Sequence, residues 1–232
     1  MATPLDLVLY VGLPYVALAL FVLVPIYRRM TRDIDWDWTS RASGIFDNRG
    51  IGLASLFLHW GLLFVLAGHL VGFAGAWFAM PSLVDVFFWV GAVGGIAALV
   101  GSVMAVYRRL VNRRMRAMST LEDYLVHVFL IAILTLALYE SLVLGAFGVS
   151  MTVGNWFLSL FTLSPNVASV AGAPLAVRVH IVVTMLFWAY FPFTKLVHLF
   201  SAPVGYLVRP YISVRAYGGG AEHEPSAGEE FQ

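Results

Sequence analysis

The stretch IGLASLFLHWGLLFVLAGHLVGFAG, Ile51–Gly75, decides the fold. Its 25 residues contain no aspartate, glutamate, lysine or arginine. At about 1.5 Å per residue, a helix of that length clears the roughly 30 Å of hydrocarbon in a bilayer. Lipid offers no partner for a backbone N–H or C=O, so only helices and closed barrels cross it. Barrel strands are short and alternate apolar with polar residues. This run does neither, and a transmembrane helix follows.

Four more runs have the same character: Leu5–Tyr27, Leu83–Tyr107, Asp123–Phe147 and Pro174–Phe200. The sequence predicts an all-α integral membrane bundle of five transmembrane helices in the cell membrane, occupying residues 1–217. A flexible tail, 218–232, is Gly-rich and then acidic through Glu222, Glu224, Glu229 and Glu230. Composition agrees. Of 232 residues, 60% are hydrophobic and 12% charged, whereas soluble domains run nearer half and a quarter. That balance excludes a water-soluble enzyme. The absence of cysteine excludes disulfides, thiolate zinc sites, iron–sulfur ligation and covalent c-type haem. With 14 basic against 13 acidic residues, nothing favours nucleic acid. No internal repeat, phosphate-binding loop or dinucleotide fingerprint is present.

Basic residues orient the bundle. Arg28, Arg29, Arg32, Arg41 and Arg49 lie between the first and second spans. Arg108, Arg109, Arg113, Arg114 and Arg116 lie between the third and fourth, and Lys195, Arg209 and Arg215 at or beyond the end of the fifth. Only Arg178 falls on the other side. The N-terminus is therefore expected outside and the C-terminus in the cytoplasm. No basic segment precedes the first apolar run, so a cleaved signal peptide is not expected. In the last outer connection, Asn155–Phe161 reads as an interfacial amphipathic helix. On the inner side, Trp36 and Trp38 flank acids in a loop suited to the headgroup level or to a partner.

Four of the six histidines lie in two spans: His59 and His69 in the second, His180 and His198 in the fifth. Ionisable side chains at that depth face the bundle interior and take partners there. Neutral imidazole is a metal ligand, and haem iron accepts axial histidines between bundle helices. Depth selects the pairs. His69 and His180 each lie about 9 Å from the outer end of their spans, while His59 lies about 12 Å and His198 about 3 Å from the inner end. One couple per leaflet results, His69 with His180 and His59 with His198. Along a continuous helix, His180 and His198 are five turns apart and share a face. A bend near Pro192, helix tilt, or an overlong fifth span absorbs the unequal spacing of the two couples. Gly61, Gly68 and Gly72 remove side chains beside the second-span histidines, making room for a flat macrocycle.

Asp47-Asn48-Arg49-Gly50-Ile51-Gly52-Leu53-Ala54-Ser55, followed by His59 and Gly68-His69, resembles the gamma subunit of respiratory nitrate reductase. So do Arg178-Val179-His180, Phe191-Pro192-Phe193-Thr194-Lys195-Leu196-Val197-His198 and Ala202-Pro203-Val204-Gly205-Tyr206-Leu207. The resemblance covers nearly the whole chain and is most specific in the second and fifth spans. It implies two non-covalent haem b groups with bis-histidine ligation, His59 and His198 for the inner and His69 and His180 for the outer. It also implies oxidation of a membrane quinol near the outer haem, with Gly68 in the quinol site. Electrons would then pass through both haems to an iron–sulfur subunit and a molybdenum catalytic subunit on the cytoplasmic face. One departure stands out: the family's lysine near the start of the third span is missing, and Ser82–Trp89 carries only Asp85 as a charge.

Other polar residues have two readings each. Arg178 contacts a haem propionate or reaches outer headgroups. His127 reads as an ordinary interfacial histidine and His223 as a solvated one. The cluster Arg108–Arg116 sets topology, contacts anionic lipids and is compatible with a docked cytoplasmic subunit. Glu140, about 10 Å below the outer end of the fourth span, is a candidate proton acceptor for quinol oxidation. Its alternative is a hydrogen-bond network with Tyr139 or Ser141. Two further functions stay open: the same dihaem core serving a sulfur or heterodisulfide complex, and a transporter using the histidines as a proton relay.

Overall fold

A computed structural model describes residues 3–31, 51–145, 147–194 and 196. Among them the chain is helical apart from short connections, and five segments have the length and apolar character to cross a membrane. The first begins with α1, Pro4–Leu7, where Thr3 and Asp6 form a capping box. A π-helical turn, Val8–Gly12, joins it to α2, Leu13–Thr31. Pro14, just after the turn, has no N–H to give the carbonyl of Tyr10 four residues back. The indole Nε1 of Trp156 donates to that oxygen instead, at 3.0 Å.

The second and third spans are α3, Ile51–Trp77, and α4, Pro81–Val111. The tight connection between them places Ala79 in the left-handed region, at φ 53°. Their backbones nearly touch. A Cβ on Gly61 would lie 2.3 Å from the backbone nitrogen of Ala98, and one on Gly101 would lie 2.4 Å from that of Leu58. Small residues at a membrane helix interface allow this approach, where packing rather than water exclusion drives association. Asn112 then caps the short α5, Arg113–Met118, and a Thr120–Asp123 capping box opens the fourth span, α6, Leu121–Leu142.

The fourth span is shorter than the sequence reading of Asp123–Phe147. It stops at Leu142, and Gly145 turns the chain at φ +54°. Phe147 already belongs to α7, Phe147–Phe161. This is the helix expected at Asn155–Phe161, begun two turns earlier, and it is packed inward: Trp156 and Leu160 are buried. The short α8, Ala168–Ala171, precedes the last span, α9, Leu175–Tyr190. That helix also ends before the expected Phe200. Phe191–Phe193 form a 3₁₀ turn around Pro192, which brings no N–H to the helical ladder and crowds the carbonyl four residues back. Thr194 is extended, so the described part of the fifth span is not one continuous helix through Pro192; His198 lies outside the described residues.

Packing runs α3 on α4, α4 on α6, α6 on α9 and α9 on α2, while α7 lies against α3 and α4. One buried cluster gathers Tyr10, Trp156, Val177, Ile181 and Met185. A second gathers Ala98, Val126, Leu130, Leu134 and Phe187. The two histidine-bearing helices, α3 and α9, share no extensive direct contact. Much of the outer surface is large and apolar, for example Leu53, Leu70, Val93 and Val128, as hydrocarbon requires.

Candidate functional site

On α3, the Nδ1–H of His69 donates to the carbonyl oxygen of Val65 at 2.8 Å. His59 makes the same bond to its own preceding turn, donating to Ser55 O at 2.8 Å, with Ser55 Oγ at 3.1 Å. A carbonyl oxygen only accepts, so each ring carries its hydrogen on Nδ1 and its lone pair on Nε2. Both rings are exposed on the surface of the chain. On α9, the Nδ1 of His180 lies 3.0 Å from Oε2 of Glu140 on α6. Donation to that carboxylate leaves Nε2 of His180 as the electron-pair donor.

These residues converge. His69 lies within electrostatic reach of both His180 and Glu140. His69, His180 and the Glu140 carboxylate therefore lie in one region. Histidine metal ligands commonly give their second ring N–H to a carbonyl or a carboxylate, fixing the tautomer and the ring plane. His59, His69 and His180 have that arrangement, and α3 and α9 stand apart rather than packed together. The residues present fit a bis-histidine haem. Nothing is described for His198, which lies outside the described residues together with His223, Lys195, the Trp36 and Trp38 loop and the acidic tail. An open groove beside His59 is lined by Gly52, Ser55, Leu56 and Trp60.

Other expectations change. Gly61 and Gly68 leave room for α4, not for a macrocycle: a Cβ on Gly68 would meet Gly91 Cα and Phe87 O at 2.9 Å. Of the three glycines only Gly72 opens onto free space, since a Cβ there would have nothing within 4 Å. Arg178 pairs with Asp6 at 3.0 Å and donates from Nε to Tyr10 OH at 3.2 Å, which ties α9 to the first span. His127 is buried rather than interfacial, and its Nδ1 pairs with the buried Ser102 Oγ at 2.9 Å. Glu140 finds His180 rather than Tyr139 or Ser141, whose hydroxyl bonds to Ala137 O. Its other oxygen, Oε1, is buried with no hydrogen-bond partner among the described residues, as is Thr184 Oγ1 one turn beyond His180.

Sequence reasoning missed Asp6 and Ser102. The signal for Asp6 was present: an acid and a base at the outer ends of two spans. An aromatic path also went unread, from His69 edge-on to Phe73 at 5.6 Å, then Phe73 to Phe157 at 4.7 Å. It packs α7 against the histidine.

Residues 6–217 match the family model of the nitrate reductase gamma subunit. The nitrate reductase gamma chain of Bacillus subtilis is 30% identical over 213 residues, covering 88% of this chain and 95% of that protein. The respiratory nitrate reductase 1 gamma chain of Escherichia coli is 30% identical over 215 residues, covering 88% and 94%. The nitrate reductase-like protein NarX of Mycobacterium tuberculosis is 33% identical over 215 residues. This chain spans 33% of the length of NarX.

Proposed function

The chain belongs to the nitrate reductase gamma subunit family, and from that premise we propose that it is the quinol-oxidising dihaem cytochrome b subunit of a respiratory nitrate reductase complex. The observation that carries this reading is the shared ligand geometry: His69 and His180 have Nδ1 committed to an acceptor and Nε2 left to bind. Two b haems, when bound, would supply one-electron carriers between a two-electron quinol and the cytoplasmic redox subunits. The outer haem is assigned to His69 and His180, and the inner to His59 and His198. Gly68 precedes the outer ligand in the quinol region.

The chain's own residues have distinct tasks in this reading. The carbonyls of Val65 and Ser55 hold their imidazoles in the Nε2-donor tautomer. Glu140 holds His180 through Oε2 and offers Oε1 as the acceptor for a proton leaving the quinol. Arg178, fixed by Asp6 and Tyr10, places positive charge two residues before the outer ligand and could offset the charge of a haem propionate. The arginines at the α4 end and on α5 form a basic surface for the iron–sulfur and molybdenum subunits and for anionic lipids. In this reading the N-terminus lies outside and the multi-pass chain sits in the cell membrane. The relatives' names support nitrate reductase over a sulfur-type complex or a histidine relay.

The test is the purified complex. It should be red, with a b-type reduced-minus-oxidised spectrum, about two haems per chain and reduction by added quinol. A colourless but folded preparation would end this reading.

A further inference from the structure

Among the described candidate ligands, His180 differs from the others in what it bonds to. His59 and His69 donate to neutral carbonyls one turn back in their own helix. His180 donates to a carboxylate on a different helix, 40 residues away, at 3.0 Å. Both side chains are largely buried, at 15% and 12% exposure. In so dry a place the carboxylate acts more strongly on the imidazole than it would in water.

We infer that Glu140 is a positioning residue for the outer haem: it fixes the tautomer and plane of His180 and lowers that haem's potential relative to one held by carbonyl-bonded histidines alone. The inference rests on the dihaem reading above and assigns Glu140 a role separate from proton acceptance. Its physical basis is direct. A carboxylate acceptor draws the Nδ1 proton toward itself more strongly than a carbonyl does and makes Nε2 a stronger donor. A stronger donor favours the ferric over the ferrous state, and the nearby negative charge does the same. The local helix cannot supply this. His180 sits six residues into α9, and its ring bonds across to α6. The position of Glu140, two residues before the end of α6, aligns the two helices at this depth.

The experiment is an equilibrium redox titration of the intact complex, followed optically, with Glu140→Gln beside the unaltered protein. No quinol is needed, so proton acceptance from quinol does not enter the readout. Two bound haems in the unaltered complex keep the dihaem reading; their absence would sink that reading and not this one alone. With both haems present, Glu140→Gln should raise the reduced-to-oxidised ratio of the outer haem about tenfold at fixed potential, or about 59 mV for a one-electron couple. The inner haem should not move. An outer ratio that stays within about twofold, or an equal shift of both haems, overturns the inference. If the variant fails to assemble, the unaltered complex carrying ring-15N histidine decides by redox-difference infrared spectroscopy. The outer-haem spectrum should hold two ring-15N-sensitive bands, one for a carbonyl-bonded and one for a carboxylate-bonded ligand. A single band overturns it.

Discussion

The carbonyl oxygen of Tyr10 accepts the indole N–H of Trp156 at 3.0 Å, across 146 residues of sequence. The pair joins the first span to α7 where Pro14 interrupts the helical ladder. Tyr10 and Trp156 are both almost wholly buried, and their rings meet edge to face at 6.4 Å. The fold thus turns an interruption in one helix into the attachment point of another.

Removing only the indole N–H should show this. Trp156→Phe keeps an aromatic ring but leaves the Tyr10 carbonyl buried and unpaired, at a cost of about 1–3 kcal/mol. Pro14→Ala restores an N–H four residues after that carbonyl and should recover part of the loss. Thermal unfolding of the detergent-solubilised complex measures both variants and their combination. Strict additivity would mean that Trp156 contributes packing alone.

The two α3 glycines Gly61 and Gly72 should respond in opposite ways. A Cβ at position 61 would lie 2.3 Å from a backbone atom of α4, which no rotamer change relieves. Gly61→Ala should force the helices apart and cost at least the 1–3 kcal/mol or so of core overpacking. Gly72→Ala meets nothing within 4 Å and should be neutral or stabilising by up to about 1 kcal/mol through helix propensity. Assembled yield and melting temperature give the comparison. Equal effects at both positions would contradict the tight α3–α4 approach.

Much of this fold was legible because hydrocarbon imposes one rule, a long apolar run, and Ile51–Gly75 obeys it without exception. The ends of the spans were harder. Val143 and Leu144 are as apolar as the helix before them, so hydropathy ran past the stop at Leu142. Pro192 was visible as a bend but not as an end, because proline tolerates either outcome in a membrane helix. Depth brought His69, His180 and Glu140 to one level, since rise per residue is fixed. Which of them touch depends on rotation about each helix, and apolar stripes facing lipid and protein alike leave that unread. The same ambiguity made Gly61 look like room for a cofactor when its neighbour is α4.

Asp6 and Arg178 form an ion pair that joins α1 to the N-terminal part of α9, with Tyr10 OH also bonded to the guanidinium. Asp6→Asn and Arg178→Met should each lower the melting temperature. The double variant should be no worse than the poorer single one, because the second change removes a charge already left without its partner. The arginine is two residues from His180, so the outer-haem spectrum should broaden in both singles while the inner is unchanged. Additive losses would show that the two side chains act independently.

Ligand assignment gives the last test. His69→Ala and His180→Ala should each remove the same spectral component, and His59→Ala and His198→Ala should each remove the other. The grounds are the common depth of the first couple and the place of His180 among the groups near enough to His69 to act on it electrostatically. Loss of one component should halve the haem content, since each couple holds one iron and neither ligand alone holds it firmly. The variants lacking the outer component should also lose reduction of the inner haem by quinol while keeping turnover with a soluble dye that reaches the cytoplasmic subunits directly. Glu140→Gln should retain both components and dye-driven turnover while slowing the quinol reaction. If His59→Ala and His180→Ala instead removed the same component, the antiparallel pairing of α3 with α9 would be wrong, and the two haems would have to be reassigned across the bilayer.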